Sequence, residues 1–225
     1  MLIKNNPKEQ LIRQLNNFYG INEKEISIID EIYPRTIAKI ATCFKHINNK
    51  YYHDEHDQIF NPLHVAQWTM FLYLMSRYSK DYFGCELCDK LYGLNKCISS
   101  ADIFYGVDMP NIWFFDHPQG SVMGRAQYSD FFTFSQGCTV GNNKGVFPQF
   151  GEHVSMLSNS KILGNCKVGD HVILSANSYL LDQDIPSYSI VFGISPNIII
   201  KSITPEKFEE ITGSMFNSKG EDQDE

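Results

Sequence analysis

Residues 150–180, FGEHVSMLSNSKILGNCKVGDHVILSANSYL, repeat with a period of six. Large apolar side chains recur at this period: Phe150, Met156, Ile162, Val168, Leu174 and Leu180. A second set of mostly smaller residues follows the first by four positions: Val154, Ser160, Cys166, Val172 and Ser178. An α-helix repeats about every 3.6 residues, and a β-meander places its turns at varied spacing. The period therefore predicts a β-solenoid, a triangular coil in which three six-residue units complete one rung.

The period continues upstream of residue 150 with one interruption. The first set extends back through Val140, Phe134, Tyr128 and Val122, and the second through Cys138, Phe132 and Ala126. The segment 141–148 breaks the period and predicts a loop. Both sets should point into the coil, with glycines at its tight corners. We therefore predict a parallel β-helix from about residue 106 to 190.

The first 105 residues follow a helical period instead. Apolar residues recur about one helical turn apart from Ile28 to Phe44. Pro62 is predicted to start a second helix, with an apolar stripe from Val65 to Met75. A third helix is predicted over residues 85–98. The predicted fold class is α+β, with three parts: an α-helical domain at 1–105, a β-helix domain at 106–201, and a C-terminal helix with an acidic tail at 202–225.

The composition excludes several classes of protein. The 225 residues include 26 acidic and 19 basic side chains, a net charge of −7, so no basic surface is available for nucleic acid or an anionic membrane. The most apolar run, Trp68–Met75, is far shorter than the roughly 20 residues of a membrane span. The N-terminal residues lack the apolar segment of a signal peptide. We therefore expect a cytoplasmic protein.

The six cysteines should be free thiols in such a chain. Cys85 and Cys88 form a single C-x-x-C pair, whereas a structural zinc site needs a second pair of ligands at regular spacing. Cys97 and His64 are placed too irregularly to supply that second pair. We therefore expect the C-x-x-C pair to pack a helix, and we expect no metal cofactor.

Three segments carry motifs in addition to the repeat. Residues 116–124 are DHPQGSVMG, residues 161–169 are KILGNCKVG, and residues 193–201 are GISPNIIIK. They resemble the D-H-x-x-G-x-x-x-G, K-I-L-G-N-I-x-V-G and closing G-x-P-A motifs of the serine acetyltransferases, a hexapeptide-repeat family. The likeness covers roughly residues 106–201. The resemblance implies a left-handed β-helix, acetyl-CoA as cosubstrate, and homotrimers that often pair into hexamers.

The resemblance also implies roles for individual residues. His117 matches the general base, Asp108 the carboxylate that orients it, and Asp116 a contact to the acceptor. Asp108 lies one repeat nearer to His117 than the family's spacing has it. A neutral imidazole can accept a hydroxyl proton near neutral pH, and a carboxylate on its other nitrogen fixes the tautomer. The positions that match the donor slot are Gly141, Lys144, Ser158, Ala176 and Lys201.

The expected activity is transfer of an acetyl group from acetyl-CoA to a hydroxyl or amine of a small acceptor. One departure from the family bears on the acceptor. Val146 and Phe147 stand where the family has an Arg-His pair that can hold an acceptor carboxylate. L-serine is therefore expected to be a poor acceptor unless a basic residue such as Arg125 or Lys144 supplies the charge. The alternative is a sugar or nucleotide-sugar acceptor of surface-polysaccharide synthesis.

Two other classes of protein use the same coil. A γ-carbonic anhydrase holds zinc between subunits on three histidines, for which His117, His153 and His171 are the candidates. His153 and His171 should stack on successive rungs at outward positions and should not converge with His117. A non-catalytic scaffold is the other class, and the presence of the Asp116–His117 pair argues against it.

Overall fold

The computed structural model describes residues 1–54, 56–84, 86–213 and 215–217. The chain divides into two compact units, Met1–Gly106 and Val107–Glu225. None of the helices in the described ranges combines the length and apolar character that a membrane span requires. Cys85 of the C-x-x-C pair and the acidic tail lie outside the described residues, so the predictions for them stay untested.

The first unit contains the helices and three short strands. The helices are α1 (Pro7–Tyr19), α2 (Glu23–Lys45), α3 (Val65–Ser79) and α4 (Leu87–Ser99), and the strands are β1 (Leu2–Ile3), β2 (Ile59–Phe60) and β3 (Asp102–Ile103). β1 and β2 pair in parallel. The predicted helices correspond to α2, α3 and α4. α1 was not predicted; it is a mostly polar helix whose buried leucines are Leu11 and Leu15.

The start of α3 differs from the prediction. Pro62 is predicted to begin the helix, but the helix begins at Val65 because His64 caps it. Gln67 N donates to His64 Nδ1 over 3.4 Å, and His64 N donates to Asn61 O over 2.9 Å in the preceding turn. Four residues of the predicted apolar stripe are buried: Trp68, Phe71, Leu72 and Met75. Val65, which was predicted to belong to the same stripe, is 42% exposed because it lies at the start of the helix.

A buried ion pair connects the start of α2 to α4. Glu25 Oε1 lies 2.8 Å from Lys90 Nζ, and only 3% of the Glu25 side chain is exposed. Asn22 and Glu25 also exchange backbone-to-side-chain hydrogen bonds and form a capping box. Lys90 Nζ donates in addition to Gly20 O over 3.2 Å. Loss of the lysine would therefore leave a buried carboxylate without its cation.

The second unit is a parallel β-helix followed by a short helix. Its strands are β4 (Trp113–Phe115), β5 (Val122–Met123), β6 (Phe132–Phe134), β7 (Thr139–Gly141), β8 (Gln149–Phe150), β9 (Ser155–Met156), β10 (Lys161–Leu163), β11 (Lys167–Val168), β12 (Val172–Leu174), β13 (Tyr179–Leu181), β14 (Ser189–Ile194) and β15 (Asn197–Ser202), and α5 (Pro205–Thr212) follows. One column of parallel strands runs β4-β6-β9-β12-β14, a second β5-β7-β10-β13-β14, and a third joins β8 to β11. β15 returns antiparallel to β14. This architecture confirms the predicted fold class.

The two predicted sets of side chains fill the coil from residue 132 onward. Phe134, Met156 and Leu174 share one register along the second to fourth rungs and are at most 1% exposed. The second set is buried beside them: Phe132, Cys138, Val154, Ser160, Cys166, Val172 and Ser178. Even the large Phe132 is fully buried. The six-residue period thus identified the core of most of the coil correctly.

The start of the repeat departs from the predicted phase. Val122 is predicted to point inward, but it is 40% exposed, and Met123 takes the inward position in register with Val140. The rung from Met123 to Val140 is one residue shorter than three repeats of six. A shift of one residue moves a side chain to the opposite face of a strand. The prediction for Val122 is therefore wrong because the rung that begins at β5 is one residue short and shifts the phase.

Three corners separate the columns, and the turns stack at each. The first corner comprises residues 116–121, 135–138, 157–160 and 175–178. The second comprises 124–127, 142–148, 164–166 and 182–184. The third comprises 128–131, 151–153, 169–171 and 186–188. Backbone hydrogen bonds join successive turns, such as Asn177 N to Ser158 O at the first corner and His171 N to Glu152 O at the third. The predicted loop is the longest turn of the second corner.

Candidate active site

His117 lies in the turn that follows β4, at the first corner of the coil. Its side chain is 73% exposed, and its Nε2 lies 3.6 Å from Asp116 Oδ2. Its backbone is left-handed, with φ of 54°. The residue of this turn that corresponds to Asn159 and Asn177 in later turns is Gly120, with φ of 71°, so the left-handed His117 is an additional feature of this longer turn. Asp116 N donates to Phe134 O over 3.3 Å, which attaches the turn to the next rung.

The rest of the D-H-x-x-G-x-x-x-G motif holds this turn in place. Ser121 Oγ donates to Ser135 O over 2.9 Å and accepts from Cys138 N over 3.3 Å. Gly124 passes so close to the next rung that a Cβ there would lie 2.5 Å from Val140 O. The motif thus combines an exposed Asp-His pair with the contacts that fix its backbone.

Asp108, predicted to orient the base, is exposed in the segment that precedes β4. The carboxylate that the structure places beside the His117 ring is that of Asp116. At 3.6 Å the contact is longer than a normal hydrogen bond, so it acts mainly through charge. The role of Asp108 as the orienting carboxylate therefore stays a prediction.

The predicted donor contacts fall into two groups. Ser158 and Ala176 lie at the first corner, on the third and fourth rungs along the same edge of the coil as His117. Gly141 is the last residue of β7, directly before the second corner, and Lys144 lies in that corner. Lys201 lies on β15, with Nζ 5.5 Å from the centre of the Phe192 ring. One chain therefore brings only the first group to the His117 edge.

The loop of the second corner is a tight hairpin turn. Asn143 N donates to Val146 O over 3.1 Å and Val146 N to Asn143 O over 2.9 Å. Lys144 and Gly145, the two central residues of the turn, have φ of 49° and 80°. Positive φ at both central residues matches the right-handed twist of the two chain segments that the turn joins. The Asn143 side chain donates to Asp182, which ties the turn to a later rung.

This turn covers a groove that the sequence analysis did not predict. The groove has a volume of about 430 Å³ and is lined by Arg125, Ala126, Gln127 and residues 145–149. Gln127 N donates to Pro148 O over 3.0 Å, which closes one end. Val146 and Phe147, the residues that replace the family's Arg-His pair, are in its wall. Their proximity to Arg125 follows from rung stacking and has no local sequence signal.

No family model matches the sequence, but known proteins match the chain in sequence and in fold. The chain is 36% identical over 111 residues to a serine acetyltransferase of Staphylococcus epidermidis, covering 47% of this chain and 52% of that protein. Its fold matches a serine acetyltransferase of Vibrio cholerae with a TM-score of 0.72 at 18% identity, covering 93% of this chain and 81% of that one. A serine acetyltransferase solved in complex with CoA matches with a TM-score of 0.66 at 22% identity, covering 87% and 83%.

The chain is similar to the serine acetyltransferases. It spans about half the length of the curated relatives that it matches. The likeness to the solved structures extends over both units and shows a shared fold, N-terminal helices followed by a β-helix. The predicted resemblance to this family is therefore confirmed.

The third corner of this serine acetyltransferase-like coil carries a stack of aromatic rings. Phe131, His153, His171 and Tyr188 stack with centroid separations of 4.3, 4.6 and 4.6 Å. Phe208 of α5 packs against the edge of the stack, 5.1 Å from His171. Both histidines occupy outward positions, as predicted, but α5 half-buries them. They also lie at a different corner from His117, so the three histidines do not converge within one chain.

The burial of this stack has a consequence for stability at low pH. Burial and, to a lesser degree, the neighbouring His171 lower the pKa of His153 from 6.5 to about 4, against a smaller opposite effect of Asp170. Glu209 of α5 lines a cavity beside the stack, together with His153 and His171. Because the unfolded chain then binds more protons than the folded chain, stability should fall as the pH decreases from about 6.5 to about 4.

Urea denaturation at about pH 7 and about pH 5 measures this loss. His153→Phe keeps a flat ring in the stack but removes the titrating group, so the variant should lose less stability than the wild type between these two pH values. His56→Phe, at an exposed position, is the control and should behave as the wild type. An equal loss in His153→Phe and the wild type would show that His153 is not responsible.

Proposed function

We propose that this protein transfers the acetyl group of acetyl-CoA to a hydroxyl of a small acceptor, as a serine acetyltransferase does. The observation that carries the proposal is the exposed Asp116–His117 pair at one edge of a parallel β-helix, with the small residues Ser158 and Ala176 farther along that edge. The similarity to serine acetyltransferases supports it, including the one solved with CoA. We therefore expect the protein to act in the cytoplasm, where acetyl-CoA is available.

In the proposed mechanism, His117 is the general base. Its neutral ring accepts the hydroxyl proton as the acceptor oxygen attacks the thioester carbonyl. The C–S bond then breaks, and the proton passes from the imidazolium to the CoA thiolate, which leaves as a free thiol. Asp116, 3.6 Å from the ring, stabilises the imidazolium and can contact the acceptor. Asp108 is proposed to orient the base.

The donor is proposed to lie along the first corner. Ser158 is partly buried and Ala176 exposed there, and their small side chains leave room beside the backbone for a pantetheine arm. Gly141, Lys144 and Lys201 lie elsewhere on the coil and can reach that arm only from a neighbouring chain. The proposed active site is therefore completed by a second subunit.

We accordingly expect a homotrimer, or a hexamer built from two trimers. A chain that brings only part of the donor slot to His117 should bind acetyl-CoA weakly by itself. Sedimentation equilibrium at micromolar concentration measures the mass of the active species. A monomer with full activity would contradict both the assembly and the shared donor slot.

A thiol-release assay tests the proposed function. The full-length protein is incubated with acetyl-CoA and a panel of acceptors that includes L-serine, amino sugars and nucleotide sugars. Acceptor-dependent release of CoA thiol is the expected result, and the acceptor with the highest kcat/KM identifies the substrate. Binding of CoA without thiol release for any acceptor would indicate a non-catalytic scaffold instead. Zinc in the purified protein, with hydration of CO₂, would indicate the carbonic anhydrase class.

A further inference from the structure

Arg125 lies in the wall of the groove at the second corner. Within the part of the chain that the structure describes, its guanidinium forms no ion pair and no hydrogen bond. An exposed guanidinium without such a partner presents five donors in a planar fork and is suited to an external anion.

The surroundings of Arg125 strengthen its attraction for such an anion. A wall of the same groove is formed by Val146, Phe147 and Pro148, which offer no competing negative charge. Pro148 is buried and Phe147 half-buried, whereas Val146 is exposed, so the wall is packed at Phe147 and Pro148. Beside an apolar wall, water screens a charge pair less than on an open surface. The hairpin turn at 143–146 and the bond from Gln127 to Pro148 keep the two walls in place.

We propose that this groove binds an anionic oxygen group of one of the two substrates, with the Arg125 fork donating two parallel hydrogen bonds to it. The inference rests on the proposed function, since that supplies the substrates. Carboxylate and phosphate both match the fork. The source is either the carboxylate of an amino-acid acceptor or a phosphate of CoA. In the first case Arg125 provides the positive charge that Val146 and Phe147 lack.

The test uses three variants of the full-length protein. Arg125→Gln removes the charge, and Arg125→Lys keeps the charge but loses the fork. Arg13→Gln makes the same change at an exposed position on α1 and is the matched control. Because Arg125 is exposed and has no partner within the described chain, none of these changes should alter thermal unfolding, which circular dichroism checks.

Two sets of measurements distinguish the two sources of the anion. Calorimetry compares the Kd of CoA with that of pantetheine, which lacks the phosphates. The thiol-release assay compares KM for L-serine with KM for serinol, which lacks the carboxylate. If the acceptor is held, Arg125→Gln raises KM for L-serine about ten- to hundred-fold and leaves serinol and CoA unchanged. If CoA is held, the variant weakens CoA binding by a similar factor and leaves pantetheine unchanged. Arg125→Lys should fall between Arg125→Gln and the wild type in either case.

The inference is wrong if Arg125→Gln leaves both the Kd of CoA and the binding of L-serine within about twofold of the wild type. A wild-type protein that releases no thiol with any acceptor contradicts the proposed function instead. Calorimetric titration with CoA and with L-serine still decides the role of Arg125 in that event, because it requires no turnover.

Discussion

Replacement of His117 with Asn or Ala is expected to lower turnover by about 10²–10⁴, the usual contribution of general-base catalysis. An acceptor hydroxyl is a weak nucleophile until a base accepts its proton, and His117 is the exposed base at the proposed reaction edge. Asn is the more informative change because asparagine tolerates the left-handed backbone that His117 adopts, with φ of 54°. It removes the base and keeps the turn.

Acetyl-CoA affinity should change little in these variants, since the proposed donor slot involves mostly backbone groups and small side chains. Calorimetry with CoA and the thiol-release assay on one preparation separate the two effects. His56→Ala, at an exposed position in the first unit, is the matched control and should keep full turnover. A His117→Asn variant that retains more than about a tenth of wild-type turnover would place the base elsewhere.

Lys90→Met is expected to destabilise the protein by about 3–5 kcal/mol, the usual effect of removing one partner from a buried ion pair. The Glu25 carboxylate is 3% exposed and would lose its cation while remaining desolvated. Methionine preserves most of the volume of the lysine stem, so packing contributes little to the loss. Urea denaturation followed by the helical circular dichroism signal measures the change.

An exposed ion pair supplies the control for this prediction. Lys207 lies 2.8 Å from Glu210 on α5, with 48% and 69% of the side chains exposed. Lys207→Met should cost less than about 1 kcal/mol because water already solvates both charges. The double variant Glu25→Gln with Lys90→Met should recover part of the loss, since no buried charge remains. A Lys90→Met variant no less stable than Lys207→Met would refute the explanation.

The sequence by itself determined the β-helix and most of its core. In a parallel coil each strand pairs with the strand one rung away, so partners lie at a nearly constant distance in the sequence. That constancy makes the period visible, and it suffices to predict that Met156 and Leu174 share one register. The same period predicts that Ser158 and Ala176, which are one rung apart in the sequence, lie on one edge of the coil. The Asp-His motif identified the candidate base, because its two residues are adjacent in the chain.

Only the tertiary structure decided the features that depend on departures from the period. The short first rung placed Met123 inside the coil in place of Val122. The burial of the His153–His171 stack depends on α5, which packs against it from a distant part of the sequence. The groove depends on a hairpin turn that brings Val146 and Phe147 into the wall of a groove that Arg125 of the preceding rung also lines. A repeating pattern predicts only the contacts that all rungs share. Irregular turns, and a segment such as α5 that packs back on the coil, create contacts between residues whose distance along the sequence is not a multiple of the repeat. Those contacts, and the Arg125 guanidinium that lies beside them, are therefore visible only in the folded structure.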